Sequence, residues 1–277
     1  MRFLKIFLSI IFVFTVSFFI VRGCVHRRLP SYRFELTGRP APQKKMVVAP
    51  AIWTSRIPRM AIILDDWGHD FSLVQKAIEV RRPLTLSVLP NVTHSAEIAQ
   101  TAYENHLGVM LHMPMQPQSR KERLEPHTIM TTTPDKEIVR LIDAALESVP
   151  HAEGVNNHMG SAATSDARVM KIFLKHLKEK NLFFVDSNVI PKTTGPATAR
   201  EMRVPFTKRD VFIDNRLDLE AIKTQLRRAV KITLARGRVV VIGHDKKVTL
   251  QAIKEMVPEI EGSGVRLVLV KELLEVE

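Results

Sequence analysis

The chain reads as an α/β domain built on parallel strands, preceded by a hydrophobic leader and a proline-containing linker. Three observations predict this. From residue 59 onward, short β-rich runs alternate with amphipathic helical stretches. The polar residues that end those runs are repeatedly Asp, His and Asn. Ahead of the alternation stands a continuous apolar run flanked by basic residues.

That run is Ile6 to Val21, with Arg2 and Lys5 in front and Arg22, Arg27 and Arg28 behind. Its character is that of an export signal or a membrane anchor. It falls a little short of the ~20 apolar residues a bilayer needs, and Phe3, Leu4 and a snorkelling Lys5 extend it. No small-x-small cleavage site follows, which favours an uncleaved anchor over a removed signal peptide. The string Val21-Arg22-Gly23-Cys24 fits a lipoprotein processing site badly, because Arg stands beside the Gly. Residues 1–28 are therefore expected to be a signal anchor or signal peptide. Residues 29–58, carrying Pro30, Pro40, Pro42, Pro50 and Pro58, read as a tether holding a domain off a membrane. The folded domain is expected over 59–277, on the extracytoplasmic side, in the periplasm or cell envelope.

Composition narrows the chemistry. With 45% hydrophobic and 25% charged residues the 277-residue chain is of globular type. Its single cysteine, Cys24, excludes an intramolecular disulfide or a thiolate metal cluster, so a metal would need His, Asp or Glu ligands, and there are ten His. The net charge of +12 does not indicate nucleic acid. Part of the excess sits in the leader, and residues such as Lys171, Lys175, Lys178 and Lys180 lie on solvated helix faces. No Gly-rich loop supports phosphate or nucleotide binding.

In order along the body, strands are expected at Met60–Leu64, Leu84–Leu89, Val109–His112, Gly154–Asn156, Leu182–Asp186, Val211–Ile213, Val239–Ile242 and Val265–Val270. Between the third and fourth, Ile138, Leu141, Ile142, Ala145, Leu146 and Val149 share one helical face, with Thr133 as N-cap and Pro134 at the first helical position. Val169, Phe173, Leu174 and Leu177 repeat the pattern, as do Ile222, Leu226, Ala229 and Val230. Roughly 220 residues of such alternation fit one barrel or one open sheet.

In either architecture a ligand site lies at the carboxyl ends of the strands. The first run ends in Asp65-Asp66, the third in His112, the fourth in Asn156-Asn157-His158, the fifth in Asp186-Ser187 and a late one in His244-Asp245. One Asp pair can cap a helix and one His can be structural, but recurrence at the same sheet edge is what a metal or acid/base site requires. The bland alternative for Asn156 to Ser161 is a tight connection whose side chains satisfy the loop backbone. Met113 and Met115, alternating around Pro114, are assigned to packing.

At these residues the sequence resembles a known family. Ile62-Ile63-Leu64-Asp65-Asp66-Trp67-Gly68, Met110-Leu111-His112-Met113-Pro114-Met115, Gly154-Val155-Asn156-Asn157-His158-Met159-Gly160-Ser161, Phe184-Val185-Asp186-Ser187 and Ile242-Gly243-His244 look like the divergent polysaccharide deacetylase family, over Arg59 to the C-terminus. The resemblance implies a distorted (β/α) barrel of about seven parallel strands. It also implies kinship with metal-dependent carbohydrate esterases that remove acetyl groups from N-acetylated sugars. In those relatives the first strand ends in two Asp, a base and a metal ligand, and a His-x-x-x-His pair completes the site. Here Gln116 stands four residues after His112 and no His-x-x-x-His occurs, so the third ligand is expected to be His158.

The resulting expectation is a divalent metal, zinc foremost, held by Asp66, His112 and His158, with Asp65 as general base and His244 as general acid toward the departing amine. Asp65 and Asp66 can share a site only if the strand ends or twists there, and Gly68 supplies freedom for a turn. Asp186 is expected to orient a ligand His or His244, Asn157 to hold a carbonyl or sugar hydroxyl, and Trp67 to stack on a sugar. The expected partner is an N-acetylated envelope glycan. The competing expectation is a non-catalytic module that binds glycan or an envelope protein on the same barrel, which the missing His pair favours.

Overall fold

A computed structural model describes residues 57–275 of the chain; the expected leader and nearly all of the linker lie outside the described residues. No helix among the described residues is long and apolar enough to cross a membrane.

Among the described residues, nine strands form one sheet: β1 Arg59–Trp67, β2 Thr85–Val88, β3 Gly108–Met115, β4 Gly154–Met159, β5 Phe183–Asp186, β6 Phe206–Lys208, β7 Val211–Phe212, β8 Arg238–His244 and β9 Arg266–Val268. All nine pair in parallel in the order β6-β5-β4-β3-β2-β1-β8-β7, with β9 beside the first residues of β1. Only Arg209 and Asp210 separate β6, which pairs with β5, from β7, which pairs with β8, so the main chain itself carries the sheet across that gap. Around the ring β6 and β7 share one position and β9 lies off the path beside β1, which leaves seven positions, in line with the barrel of about seven strands expected. The strand that sequence patterning missed is β6, three residues long behind Pro205.

Helices cover the outside: α1 Val74–Ile78, α2 Ser95–Glu104, α3 Asp135–Ser148, α4 Ala167–Glu179, α5 Gly195–Met202, α6 Leu219–Arg236 and α7 Lys247–Gly262. The expected apolar faces are the buried ones, including Ile138, Leu141, Ile142 and Ala145 on α3. The start of α3 differs by one residue. Pro134 is its N-cap, and Thr133 instead closes the preceding turn by accepting from Met130 N.

Side chains alternate across a strand, and that period of two sorts the sheet into two cores. On the helix side lie Met60, Ile62, Leu64, Val109, Leu111, Val155 and Phe184 with the helix faces. Inside the barrel lie Ala61, Ile63, Met110, Phe183, Val185, Val240 and Ile242, closed at one end by Val268, Val270 and Leu273. Burial on both faces is why these strands read as continuous apolar runs.

Candidate metal and acid-base site

The inward column of side chains changes character at the carboxyl ends of the strands. Two residues beyond Ile63 stands Asp65, beyond Met110 stands His112, beyond Val185 stands Ser187, and beyond Ile242 stands His244. On β4 the same parity gives Gly154, Asn156 and His158, and on β2 it gives Ser87, whose hydroxyl donates to Asn156 Oδ1 at 2.6 Å. The polar mouth is thus the continuation of the lumen.

Asp66 is out of register and reaches the mouth by a bulge. Register slips between Leu64 and Trp67, and Asp66 itself has φ +65°, a left-handed conformation that Asp tolerates better than most residues. The kink falls on Asp66 as well as on Gly68, at φ +138°. It brings two consecutive carboxylates to one place and turns Trp67 away.

Asp66 Oδ1 lies 3.0 Å from His158 Nδ1 and 3.2 Å from His112 Nε2, and the two ring nitrogens are 3.2 Å apart. Their rings meet edge to face at 76°. Asp66 Oδ2 is 3.8 Å from His244 Nε2. Ligands about 2.0–2.1 Å from a tetrahedral ion are roughly 3.3 Å from one another, so one carboxylate oxygen and two imidazole nitrogens at these separations suit zinc. The tautomer suits it too. Asn156 Nδ2 donates to Asp65 Oδ1 at 2.9 Å, so Asn156 Oδ1 faces His112 and accepts from Nδ1–H at 2.6 Å. Neutral His112 therefore presents its lone pair on Nε2, toward Asp66 and His158.

Electrostatics follow the burial. Burial raises the Asp66 carboxyl, but hydrogen bonds from His112 and His158 outweigh it and hold the group well below the usual carboxylate range. Burial pulls His112 down, and Asp65 and Asp66 together carry it up to about 9. Asp65 is raised by its burial, against the pull of His112 and Asn156. With Oδ1 held by Asn156, its Oδ2, 3.7 Å from His112 Nε2, faces the cluster.

His244 is held by a residue that sequence reasoning missed. Asp214 Oδ1 lies 3.0 Å from His244 Nδ1, and Asp214 Oδ2 accepts from His244 N at 2.7 Å and from Thr249 Oγ1 at 2.8 Å. This leaves His244 Nε2 toward the site, with Phe212 edge-on to the ring at 5.1 Å. Burial lowers His244, but Asp214 outweighs it and the imidazole titrates above its ordinary value. The signal for Asp214 was present: it follows the Val211–Ile213 run as the other site residues follow theirs.

Three expected roles are corrected. Asp186 does not orient His244 or a ligand His; it has the outward parity of Phe184, and accepts from Asn188 N at 2.7 Å and Thr193 Oγ1 at 2.6 Å beneath Gly195. Asn157 lines the cavity, but its Nδ2 donates to Met159 O and its Oδ1 accepts from Ser187 N, so it fastens the end of β4 to that of β5. Trp67 cannot stack on a sugar, because it is 0% exposed in the helix-side core. Gln116, at the position of the absent second His, accepts from Thr131 N and Thr131 Oγ1 and braces a loop.

Asp65, His112, His158 and His244 open onto a cavity of about 320 Å³, also lined by Ser187, Val189, Arg209 and Phe212. A second cavity of about 640 Å³ meets Asp66 and His158 from the other side. The cluster therefore lies in a mouth open on two sides.

Comparison with known proteins agrees with this architecture. The chain is 33% identical over 199 residues to the uncharacterized protein YibQ of Escherichia coli K12, a match covering 72% of this chain and 62% of that protein. An uncharacterized protein of Haemophilus influenzae is 28% identical over 212 residues, covering 76% of this chain and 75% of the other. Among solved structures, uncharacterized protein ATU2773 of Agrobacterium tumefaciens shares the fold at TM-score 0.75 and 20% identity, over 79% of this chain and 90% of that one. The family 4 carbohydrate esterase of Streptomyces lividans, in complex with acetate, shares it at TM-score 0.53 and 15% identity, over 77% and 93%. The sequence pattern of divergent polysaccharide deacetylases matches residues 62–274, nearly the whole barrel with its polar mouth, and the chain belongs to that family.

Proposed function

We propose that the protein is a divalent-metal-dependent hydrolase that removes acetyl groups from N-acetylated sugars of an envelope glycan, and that its N-terminal segment keeps it outside the cytoplasm. The observation that carries this reading is the meeting of Asp66, His112 and His158, within 4.8 Å of one another, beside a buried carboxylate and an Asp-held imidazole. A divalent metal held there supplies Lewis acidity, lowering the pKa of water toward ~7 and polarising an amide carbonyl. Asp65 accepts the proton of the attacking water at Oδ2, its other oxygen being fixed by Asn156. His244, oriented by Asp214, whose carboxylate favours the protonated imidazole, delivers a proton from Nε2 to the departing nitrogen. Water and acetamide thereby become acetate and a free amine. The shared fold of an esterase that holds acetate supports the same reading.

The test incubates zinc-loaded full-length protein with neutral and acidic N-acetylated tetrasaccharides and measures acetate. We expect release that chelation abolishes and zinc restores, with Asp65→Asn reducing turnover about 10²- to 10⁴-fold while zinc content is kept. A protein that takes up no stoichiometric metal and releases no acetate would instead be the non-catalytic glycan-binding module.

A further inference from the structure

Arg209 occupies the two-residue crossing between β6 and β7, on the wall of the cavity that holds Asp65, His112, His158 and His244. Its Nε and Nη2 donate to Ser187 O at 2.6 Å and Asn188 O at 2.7 Å, and its guanidinium lies 5.0 Å over the Phe212 ring. The side chain is half-buried, yet among the described residues no carboxylate lies within 4.0 Å of it and Nη1 has no partner. Burial lowers its pKa while Asp65 and Asp186 resist that from a distance. A partly desolvated guanidinium that is anchored through Nε and Nη2 and keeps Nη1 free is suited to hold an anion.

The positive charge continues outward. A third cavity, of about 590 Å³, shares Arg209, Phe212 and Asn215 with the 320 Å³ one as a common rim, and beyond that rim it is lined by Arg216 and Arg228. Neither of these forms an ion pair among the described residues, whereas Arg227, next to Arg228 on α6, pairs with Glu259 at 2.9 Å. The one carboxylate in this cavity, Asp210, is occupied: it accepts from Val240 N at 2.9 Å and lies 3.7 Å from Arg236 Nη1.

We propose that Arg209, Arg216 and Arg228 form an anion-binding subsite beside the deacetylation cavity, and that the substrate is an N-acetylated glycan whose neighbouring sugars carry carboxylate or phosphate groups. The proposal deepens the hydrolase reading and rests on it. The cavity itself presents Asp65, with Asp66 Oδ1 3.2 Å from His112 on its wall, and these carboxylates repel an anionic polymer, a repulsion that the arginines offset along the approach. Binding then fixes the register of the chain, so that the acetamide next to an acidic sugar is the one presented.

Three tetrasaccharide probes test this with zinc-loaded full-length protein: tetra-N-acetylchitotetraose, its 6-O-phosphorylated form, and an alternating N-acetylglucosamine and N-acetylmuramic acid chain, whose lactyl groups carry carboxylates. Calorimetric affinity and acetate release are measured in parallel. We expect at least one charged probe to bind about tenfold or more tighter than the neutral one at low salt, the gap closing at about 500 mM salt. Which charged probe wins identifies the anion. Arg209→Gln should lower that preference, and the exposed pair Arg216→Gln with Arg228→Gln should bring it toward one even if the Arg209 variant fails to fold. Equal affinity for all three probes, or a preference untouched by the double variant, overturns the subsite. Equal acetate release from all three probes overturns the subsite and keeps the hydrolase, whereas charge-selective binding without acetate release keeps the subsite and overturns the hydrolase.

Discussion

Loading the metal-free protein with zinc should displace a proton from His112, and the size of the effect follows from its surroundings. Facing Asp65 and Asp66 without an ion, His112 titrates at about 9. Its Nδ1–H is committed to Asn156 Oδ1, so the proton that must leave is the one on Nε2, between Asp66 and His158. At pH 7 that deprotonation costs roughly 3 kcal/mol, so apparent zinc affinity should lie about 100-fold below its alkaline limit and rise about tenfold per pH unit until about pH 9. Calorimetric titrations at pH 7 in two buffers of different ionisation enthalpy should show about one proton released per zinc bound. His112→Gln should remove most of the affinity and the proton release together. Buffer-independent heats, with affinity flat from about pH 6.5 to 8.5, would refute both the ligand assignment and the charge argument.

The same shift bears on stability. His112 is raised on folding, so the stabilisation from its cation beside Asp66 is fully present below its ordinary value of about 6.5 and is lost as pH rises through about 9. Thermal denaturation in chelator should show Tm falling across that window. Asp214→Asn should reduce turnover about 10²- to 10⁴-fold with zinc content intact, and should move the alkaline limb of the pH–rate profile to lower pH, because the charge that raises His244 is gone. Trp67→Phe should leave KM for a tetrasaccharide unchanged while lowering stability by about 1–3 kcal/mol in a denaturant melt, since the indole packs in the helix-side core. His176→Ala should leave zinc stoichiometry unchanged and cost about 1–3 kcal/mol, because that imidazole lies on the outer helix α4, buried against Asp143 Oδ1 of α3 at 2.8 Å.

The barrel was legible because its strands are buried on both faces and stand out as apolar runs, and the mouth was legible because Asp65, His112, His158 and His244 end those runs. Parity along the strand was applied to Asp65 and Asp66 alone, and its neglect on the other strands accounts for the misplaced roles. Asp186 follows Phe184 and faces α5, whereas Ser187 follows Val185 into the mouth. By the same count Asn156, two residues ahead of His158, is inward-facing and ties His112 to Asp65. Asp66 and Trp67 exchange faces only because of a left-handed residue, and no periodicity announces which residue will adopt it. Arg209 escaped notice because β6 and β7 are too short to register as two strands flanking a crossing.

The left-handed backbone at Asp66 also governs how this lineage can change by single substitutions. A β-branched or bulky residue there carries a backbone penalty of about 1–2 kcal/mol, whereas Asn and Gly accept the conformation readily. The low-cost neighbours of Asp66 in sequence space are therefore those that keep the bulge and Trp67 in its core while removing the carboxylate charge. Chemistry and architecture separate at that one position, so a descendant carrying Asn or Gly there would inherit the barrel, the Asn156 tie and the arginine rim while losing the carboxylate that the proposed reaction requires.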